Sequence, residues 1–400
     1  MGHVLFYSTI LLSLAYSFVS SACPKECRCS GKNYVTCIGK NITNEGVKEI
    51  AAQLNETELE HLYFTENKID HFEVSYFVNF TKLKNIGLRK NLLTKVPANV
   101  SILIPSITRL GLSYNMINSI VRADFAGYRS IKDLDFKGNG IEKLDANLFQ
   151  DIPRLTDLHF NDNKIKVIKN DTLKGLTELV YINFNGNGVE IIENGVFNNM
   201  TYNEVEVYLR NNKIRTLASG TFGSSQGGMS VKLSGNELTP NSIQPKAFNV
   251  DSLELDNNNL TAVHQDWFAS SLNTFSLEGN PLICDCALYQ SLVFTGGYFF
   301  GTCNKTYNLN KFSGENKLNC TSCFGNQCQN GAQCQIIDKS NYNCSCTEMH
   351  SGRFCQLRIN SDGDDDGIAV GYIILIVVLV VLLLAGLLAV VCYTKNRKGN

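Results

Sequence analysis

The sequence has few prolines and almost no net charge. A chain of 400 residues with 44% apolar residues and only seven prolines is unusual for a set of separate globular modules, so an internal repeat is the first organisation to consider. The formal net charge is −1, and no basic block lies outside the last few residues. This composition argues against nucleic acid as a partner.

Signs of catalysis are absent as well. None of the six histidines falls in a recognisable catalytic motif, and the sequence contains no phosphate-binding loop. The sequence therefore predicts a protein that is not an enzyme, with no catalytic residues and no cofactor.

Two apolar segments predict how the chain is targeted. Residues 1–22 are typical of a cleaved signal peptide, and residues 368–392 contain no charged residue over a length that suits a membrane-spanning helix. Aspartates lie before the second segment, in an acidic stalk at 357–367, and basic residues follow it in a tail at 393–400. The positive-inside rule then predicts a single-pass type I plasma-membrane protein whose N-terminal part is extracellular.

The cysteines fit an extracellular chain. Of the fifteen cysteines, only Cys392 lies at the inner boundary of the predicted span. The other fourteen are an even number, which suits seven disulfides in an oxidising compartment.

The pattern LxxLxLxxNxL recurs ten times, at intervals of 22 to 25 residues. Its asparagines are Asn67, Asn91, Asn115, Asn139, Asn163, Asn187, Asn212, Asn236, Asn258 and Asn280. Each copy predicts a short strand that buries its apolar residues only when the next copy stacks on it. The asparagines are predicted to satisfy backbone groups of adjacent turns. A spine of stacked phenylalanines is predicted behind the strands, formed by Phe77, Phe125, Phe149, Phe197, Phe222 and Phe268.

These copies resemble leucine-rich repeats, and the cysteine clusters around them resemble the flanking modules of extracellular proteins of that family. The resemblance implies an α/β-type solenoid shaped as a horseshoe, with short parallel strands on its concave face. It implies an N-terminal cap at 23–58, repeats at 59–282 and a C-terminal cap at 283–320. The implied cap disulfides are Cys23-Cys29, Cys27-Cys37, Cys284-Cys303 and Cys286-Cys320.

Six further cysteines, in residues 321–356, have the spacing C-x4-C-x5-C-x9-C-x-C-x8-C. This spacing resembles an EGF-like module of the kind found in Slit and Notch-like adhesion proteins, and the order of modules is similar to vasorin-type proteins. The implied disulfides are Cys323-Cys334, Cys328-Cys344 and Cys346-Cys355. Acidic residues do not precede the first cysteine, so no calcium site is expected.

The residues six, four and two positions before each asparagine are predicted to point out of the concave face. Such faces are the usual binding surface of solenoids, and we expect a protein ligand there. The candidate ligand-binding residues are Arg89, Arg109, Asp133, Asp135, Asp157, His159, Tyr181, Tyr208 and Arg210. Tyr181, Tyr208 and Arg210 are favoured because tyrosine and arginine dominate interface energies. The alternative is a hydrated sheet that binds no ligand.

Asp133, Asp135, Asp157 and His159 are predicted to form a two-by-two square that could imitate a metal site. Because Arg109 and Lys137 flank this square, a solvated and partly neutralised strip of carboxylates explains it, and no metal is expected.

Ten Asn-x-Ser/Thr sequons predict N-glycosylation of a surface protein. The expected acceptors are Asn41, Asn55, Asn79, Asn99, Asn170, Asn199, Asn259 and Asn304. Asn319 and Asn343 are not counted, because the middle residue of each sequon is a cysteine expected in a disulfide.

Three functions remain open. The first is an adhesion or recognition receptor, or a co-receptor, that binds extracellular protein through its concave face and acts with a partner in the same membrane. The second is a ligand trap or precursor shed by cleavage in the stalk. The third is an innate immune recognition receptor, which is disfavoured by the EGF-like module. The tail is too short to hold a known signalling domain.

Overall fold

The structure, a computed structural model, describes residues 23–198, 200, 203–223, 227–314, 328–330, 332–336 and 342–358. The predicted signal peptide, membrane span and tail, and most of the predicted stalk, lie outside the described residues. Within those residues, no helix has the length and apolar character needed to cross a bilayer. The chain divides into two compact units, Met1–Asn319 and Cys320–Asn400.

The first unit is built on one sheet whose strands run almost in chain order. Its strands are β1 (Arg28–Ser30), β2 (Tyr34–Thr36), β3 (His61–Tyr63), β4 (Asn85–Gly87), β5 (Arg109–Gly111), β6 (Asp133–Asp135), β7 (Asp157–His159), β9 (Tyr181–Asn183), β11 (Asn203–Tyr208), β12 (Gly227–Lys232), β13 (Ser252–Glu254), β14 (Thr274–Ser276) and β15 (Tyr298–Phe300). β1 pairs with β2 in the antiparallel sense, and every later pair in this sheet is parallel.

Shorter elements complete this unit. Two small pairs lie outside the main sheet: β8 (Val167–Ile168) with β10 (Ile191–Ile192), and β16 (Thr302–Cys303) with β17 (Tyr307–Asn308). The α-helices are α1 (Asn44–Ala51), α2 (Val100–Leu103), α3 (Cys286–Thr295) and α4 (Leu309–Gly314). The 3-10 helices are Val74–Phe77, Arg122–Phe125, Pro240–Ser242 and Gln265–Trp267.

The ten predicted copies contribute the strands from β3 to β14. Neighbouring copies pair without a register shift, so that Leu134 lies between Leu110 and Leu158. The inward-pointing residue of each copy is at most 1% exposed: Leu62, Ile86, Leu110, Leu134, Leu158, Ile182, Val207, Val231, Leu253 and Phe275. The predicted repeat is therefore confirmed, and its core is continuous because each copy buries the apolar side of the one before it.

The repeat asparagines tie adjacent copies together. Asn139 Nδ2 donates to Leu112 O and to Phe136 O, both at 3.0 Å, and Asn139 Oδ1 accepts from Ile117 N at 3.0 Å. Asn163 repeats this pattern one copy later. The asparagines are buried, so each amide satisfies backbone groups that water cannot reach. Their predicted structural role is confirmed.

The predicted phenylalanine spine exists in separate pieces rather than as one stack. Its longest piece runs through Phe197, Phe222, Phe248 and Phe268, with ring centroids 5.2, 5.8 and 6.0 Å apart. Phe248 is not among the predicted members of the spine, because it lies twelve residues after its asparagine instead of ten. The spine is interrupted where Ser101 and Leu173 occupy the same position of their copies.

Both ends of the solenoid are closed. At the N-terminal end, β2 extends the sheet beside β3, and the disulfides Cys23-Cys29 and Cys27-Cys37 are present. At the C-terminal end, Asn310 on α4 accepts from Phe299 N at 2.8 Å and donates to Phe299 O at 2.5 Å. These bonds satisfy the edge backbone of β15, which an open sheet would leave unpaired.

The C-terminal cap also contains the disulfide Cys284-Cys303. The second unit has two antiparallel pairs, β18 (Gln333–Ile336) with β19 (Tyr342–Ser345) and β20 (His350–Ser351) with β21 (Leu357–Arg358). Its disulfides are Cys328-Cys344 and Cys346-Cys355. These pairs are the ones that the resemblance implies. The expected bonds Cys286-Cys320 and Cys323-Cys334 lie outside the described residues.

Candidate binding face

In each short strand of the main sheet, the two residues that flank the buried one point away from the core. We call this side of the sheet the open face; it is the predicted concave face. The parallel register arranges its residues in two rows. One row is His61, Asn85, Arg109, Asp133, Asp157, Tyr181, Glu206, Ser230, Ser252, Thr274 and Tyr298. The other is Tyr63, Gly87, Gly111, Asp135, His159, Asn183, Tyr208, Lys232, Glu254, Ser276 and Phe300.

Seven of the nine candidate residues lie in these rows, and Arg89 and Arg210 each lie two residues beyond the end of their strand. Arg89 Cζ lies 4.3 Å from the centroid of the Tyr114 ring. This cation–π contact holds Arg89 against its own protein, at a stabilisation of about 0.5–1 kcal/mol for an exposed site.

Asp133 is the most buried acid of the open face, at 7% exposure. Arg109 donates to Asp133 Oδ2 from Nε at 2.7 Å and also from Nη2, and His159 Nε2 lies 4.0 Å from Asp133 Oδ1. Burial raises the pKa of Asp133, although the hydrogen bond and charge of Arg109 act in the opposite direction. The Arg109 guanidinium is therefore bound to a carboxylate of the same sheet.

The predicted square of acidic residues and histidine is present as a register relationship. Asp133 pairs with Asp157, and Asp135 pairs with His159. Arg109 binds one corner of it, and Asp135 Oδ1 accepts from Lys137 N at 2.9 Å. Among the described residues, no group of three or more histidine, cysteine or acidic side chains has an arrangement that could hold a metal ion.

Aromatic side chains form a continuous ladder in the middle of the open face. The His159 ring lies 4.9 Å from the Tyr181 ring, the Tyr181 ring lies 4.9 Å from the Tyr208 ring, and Lys232 Nζ lies 4.3 Å from the centroid of the Tyr208 ring. We call these four side chains the aromatic ladder. All four are half-buried, so that each keeps an accessible part.

Hydrogen bonds fix the two tyrosines of the ladder. Asn183 Nδ2 donates to Tyr181 Oη at 2.8 Å, and Tyr208 Oη donates to Glu206 Oε2 at 2.9 Å. Burial raises the pKa of Tyr181 above its ordinary value, so the hydroxyl stays protonated at neutral pH. The ladder is thus ordered before any partner arrives.

Arg210 has a different environment from the tyrosines. Its Nε donates to Glu254 Oε1 at 2.7 Å, its Nη2 donates to Glu254 Oε2, and Ser234 Oγ also donates to Glu254. Burial alone would raise the pKa of Glu254, but these hydrogen bonds bring it below its ordinary value. Two N–H groups of the Arg210 guanidinium bind the two oxygens of one carboxylate. Arg210 therefore links two copies of the repeat that are not neighbours.

An acidic groove of about 580 Å³ adjoins the ladder. It is lined by Asp157, Val180, Tyr181, Glu204, Glu206, Gly228, Met229, Ser230, Asp251, Ser252 and Asn273. This groove is not among the features that the repeat pattern predicts.

The groove exists because β11 and β12 are longer than the other strands. Eight residues before the asparagine, the other copies have a buried apolar residue, whereas these two have Glu204 and Gly228. Both have left-handed backbone, with φ of 63° and 96°, and the following residues Val205 and Met229 enter the core instead. The signal for this irregularity was the 25-residue interval before Asn212, in a chain that otherwise favours 24.

The predicted glycosylation sites lie off the open face. Among the described acceptors, Asn55 is half-buried and the remaining six are exposed: Asn41, Asn79, Asn99, Asn170, Asn259 and Asn304. Asn199 lies outside the described residues. Glycans at these positions remain a prediction, and they would leave the open face uncovered.

The family model described as Leucine rich repeat matches residues 57–117, 105–165 and 129–189. A solved octameric complex of Latrophilin 3, Unc5D and FLRT2, in which FLRT2 is the leucine-rich-repeat component, contains a chain with 20% identity and a TM-score of 0.52. The match covers 71% of this chain and 94% of that chain. No curated protein matches the sequence.

Two further solved structures are less similar. An internalin, inlF from Listeria monocytogenes, is 18% identical with a TM-score of 0.47, covering 68% of this chain and 82% of its own. The leucine-rich repeat domain of APL1B is 17% identical with a TM-score of 0.46, covering 75% and 77%. The family model, the ten stacked copies and the FLRT2 complex agree on the fold. The first unit is a leucine-rich-repeat solenoid with disulfide-linked caps.

Proposed function

We propose that this protein binds another extracellular protein through the aromatic ladder of its open face. The observation that carries the proposal is the contact of His159, Tyr181, Tyr208 and Lys232 across four neighbouring strands. Tyrosines give large contact areas at low entropic cost, and solenoids bind partners with this side of the sheet. FLRT2, whose complex contains a chain of similar fold, is assembled there with Latrophilin 3 and Unc5D.

The hydrogen bonds within the ladder support its use as a preformed surface. Since Asn183 and Glu206 already hold the two hydroxyls, little side-chain freedom is left to lose on binding. Arg210, Arg109 and Arg89 support the proposal less, because each cation already contacts another side chain of this protein.

We further propose that the chain acts at the cell surface as a recognition receptor or co-receptor. Disulfides in both caps support an oxidising, extracellular setting. In this proposal residues 1–22 are a signal peptide, 321–356 an EGF-like module and 368–392 a type I membrane anchor. The module order, similar to Slit and vasorin-type proteins, supports adhesion or recognition over catalysis.

The experiment is a binding screen of the chain displayed on cells against a panel of extracellular proteins. We expect at least one partner whose binding is lost in the variant Tyr181→Ala/Tyr208→Ala. The matched control is Tyr76→Ala, because Tyr76 is also half-buried but lies in the 3-10 helix Val74–Phe77 rather than on the open face. Partners that bind the double variant as well as the unchanged protein would refute the proposal.

A further inference from the structure

We propose that a pocket on the open face binds a carboxamide side chain of the protein partner, that of a glutamine or an asparagine. The pocket has a volume of about 360 Å³, and the residues that line it include Tyr63, Arg89, Gly111, Ser113 and Asp135. We call it the glycine pocket. This inference rests on the proposed function, because it assigns a chemical group to the partner that binds the open face.

The pocket exists because two neighbouring strands have glycine at the same position. Gly87 on β4 pairs with Gly111 on β5. A Cβ built on Gly87 would lie 2.3 Å from Tyr63 Cδ1, so the Tyr63 ring covers Gly87. The nearest neighbour of a Cβ built on Gly111 would be Gly87 Cα, at 3.7 Å. The space over Gly111 is therefore open, and the Tyr63 ring forms an apolar wall beside it.

Ser113 brings a buried hydroxyl to the wall of this pocket. It follows Gly111 by two residues, so both residues point to the same side of the sheet. Ser113 is only 1% exposed, and its Oγ forms no hydrogen bond within the part of the chain that the structure describes. A buried hydroxyl without a partner costs free energy, which a hydrogen bond to a ligand recovers. Ser113 therefore indicates a polar ligand, independently of any charged residue.

Arg89 lies beside Ser113 with donors that no carboxylate occupies. Lys90 N donates to Ser113 O at 2.9 Å, as expected where Arg89 and Ser113 hold equivalent positions of neighbouring copies. The Tyr114 ring, whose centroid lies 4.3 Å from Arg89 Cζ, holds the guanidinium from one side. Arg89 forms no ion pair and no side-chain hydrogen bond with another described residue. Its N–H groups are therefore available to an oxygen of a ligand.

Asp135 supplies an acceptor next to the open space. It pairs with Gly111 in the register of β5 and β6. Its Oδ1 accepts from Lys137 N at 2.9 Å, whereas its Oδ2 has no hydrogen bond or ion pair among the described residues. The other arginine and the other aspartate of the pocket, Arg109 and Asp133, bind each other. Arg89 and Asp135 are thus the two charges of the pocket without an ion-pair partner.

These two opposite charges favour a neutral ligand that has both a donor and an acceptor. A carboxylate would gain Arg89 but share the pocket with Asp135, and a cation would gain Asp135 but share the pocket with Arg89. A carboxamide has no charge and carries a carbonyl acceptor and two N–H donors in one plane. Its carbonyl can accept from Ser113 Oγ and Arg89 while its NH2 group donates to Asp135. The methylene groups of the same side chain would pack on the Tyr63 ring.

The glycine pocket adjoins the aromatic ladder. His159 belongs to the ladder and also lines the pocket, and it pairs in register with Asp135. A partner that covers the ladder therefore lies within reach of the pocket with a single protruding side chain.

The test uses cells that display the full-length chain and fluorescent dextrans that carry many copies of the peptide Gly-Gly-X-Gly-Gly. X is glutamine, glutamate or lysine, and the many copies make a weak contact measurable. Flow cytometry, normalised to the display level by an antibody to an added tag, should show about threefold or more binding of the glutamine dextran over either charged dextran. Equal binding of all three, or no binding of the glutamine dextran, refutes the inference.

A dextran that carries N-acetylglucosamine presents an amide on a sugar instead of on a protein side chain. We expect this dextran to bind less than the glutamine dextran. Binding of the sugar dextran in place of the glutamine dextran would contradict the assignment to a protein side chain.

Variants of the pocket test its floor and its hydroxyl. Ser113→Ala should weaken binding of the glutamine dextran about threefold or more, because it removes one hydrogen bond to the ligand. The matched control is Ser119→Ala, which removes an exposed hydroxyl of the same copy outside the pocket and should change binding little. Gly111→Leu should abolish binding, since its side chain fills the open space. Equal weakening by the two serine variants would overturn the role of Ser113.

Variants of the two unpaired charges should change which dextran binds best. Asp135→Asn leaves Arg89 as the unpaired charge, so the preference should move to the glutamate dextran. Arg89→Gln leaves Asp135, so the preference should move to the lysine dextran. Asp145→Asn, which neutralises an exposed aspartate outside the pocket, should keep the preference for glutamine. A glutamine preference that survives both pocket variants contradicts the proposed roles of Arg89 and Asp135.

The two proposals fail in distinguishable ways. If partners from the cell screen require Tyr181 and Tyr208 but the glutamine dextran does not bind, the ladder proposal stands and the pocket inference falls. If the glutamine dextran binds through Ser113 but no partner depends on the tyrosines, the ladder proposal falls.

Discussion

The Tyr181 and Tyr208 rings lie 4.9 Å apart on neighbouring strands, although the interval between the asparagines of their copies contains an extra residue. The left-handed backbone at Glu204 absorbs that residue before the open-face part of β11, so Glu206–Tyr208 remain in register with Tyr181–Asn183. Tyr208 is in register with Asn183, and the two tyrosines therefore meet diagonally across the strands.

The left-handed backbone near the start of β11 and β12, which we call the bulge, requires at Gly228 a conformation that favours glycine. In Gly228→Ala, a Cβ would enter a left-handed position with φ of 96° and approach Asp251 Oδ2 to 2.1 Å. We expect a loss of about 1–3 kcal/mol, measured as a lower thermal midpoint. Gly111→Ala is the matched control, since Gly111 has no positive φ and its nearest neighbour would be 3.7 Å away. Equal midpoints for the two variants would contradict this account of the bulge.

The asparagine network predicts a large cost for a small truncation. Asn139→Ala removes four hydrogen bonds and leaves buried backbone groups of two copies unsatisfied. We expect about 2–4 kcal/mol of lost stability, observed by thermal unfolding. Asn118→Ala, at an exposed position in the same loop region, should change the midpoint little. A similar midpoint for the two variants would show that the amide network does not stabilise the solenoid.

The Arg210–Glu254 pair predicts a contrast between two arginines. Arg210→Ala leaves the half-buried carboxylate of Glu254 without its cation. Arg215→Ala breaks an exposed pair, in which Arg215 Nε lies 2.7 Å from Glu237 Oε2. We expect a loss of about 1–2 kcal/mol for the first variant and a clearly smaller loss for the second, because water screens an exposed ion pair. Thermal unfolding at neutral pH measures the stability loss of both variants. A larger loss for Arg215→Ala would contradict the prediction that the Arg210–Glu254 pair stabilises the solenoid more.

The same pair predicts a pH dependence with a definite sign. Burial would raise the pKa of Glu254, but hydrogen bonds from Arg210 and Ser234 lower it overall. A lowered folded pKa stabilises above the unfolded value of about 4.3, and this contribution disappears as the pH falls through the folded pKa. The difference in thermal midpoint between the unchanged protein and Glu254→Gln should therefore be constant near neutral pH and shrink on acidification below about pH 4. A difference that grows with acid would contradict the shift.

Much of the fold could be predicted from the sequence, because a regular interval between copies fixes the register of the strands and the side of the sheet to which each residue points. Leu134 and Asp133 could be assigned to opposite sides of the sheet from the pattern alone. Ion pairs could not be predicted in this way. Arg210 and Glu254 are 44 residues apart, and their contact depends on how far two long side chains reach across a strand.

The acidic groove was also beyond prediction from the repeat pattern. The 25-residue interval shows which copy contains the extra residue. Only the backbone conformation at Glu204 shows that this residue lengthens a strand and does not form a loop. Phe248 was missed for a related reason, since a shift of two residues still allowed its ring to stack on Phe222.

The most direct test of the proposed function places a photo-crosslinking benzoylphenylalanine at Tyr181, in the displayed chain, with a partner from the binding screen present. We predict a crosslinked complex with Tyr181 substituted and none with Tyr76 substituted. Crosslinking from the position of Tyr76 and not from that of Tyr181 would contradict the assignment of the aromatic ladder as the binding surface.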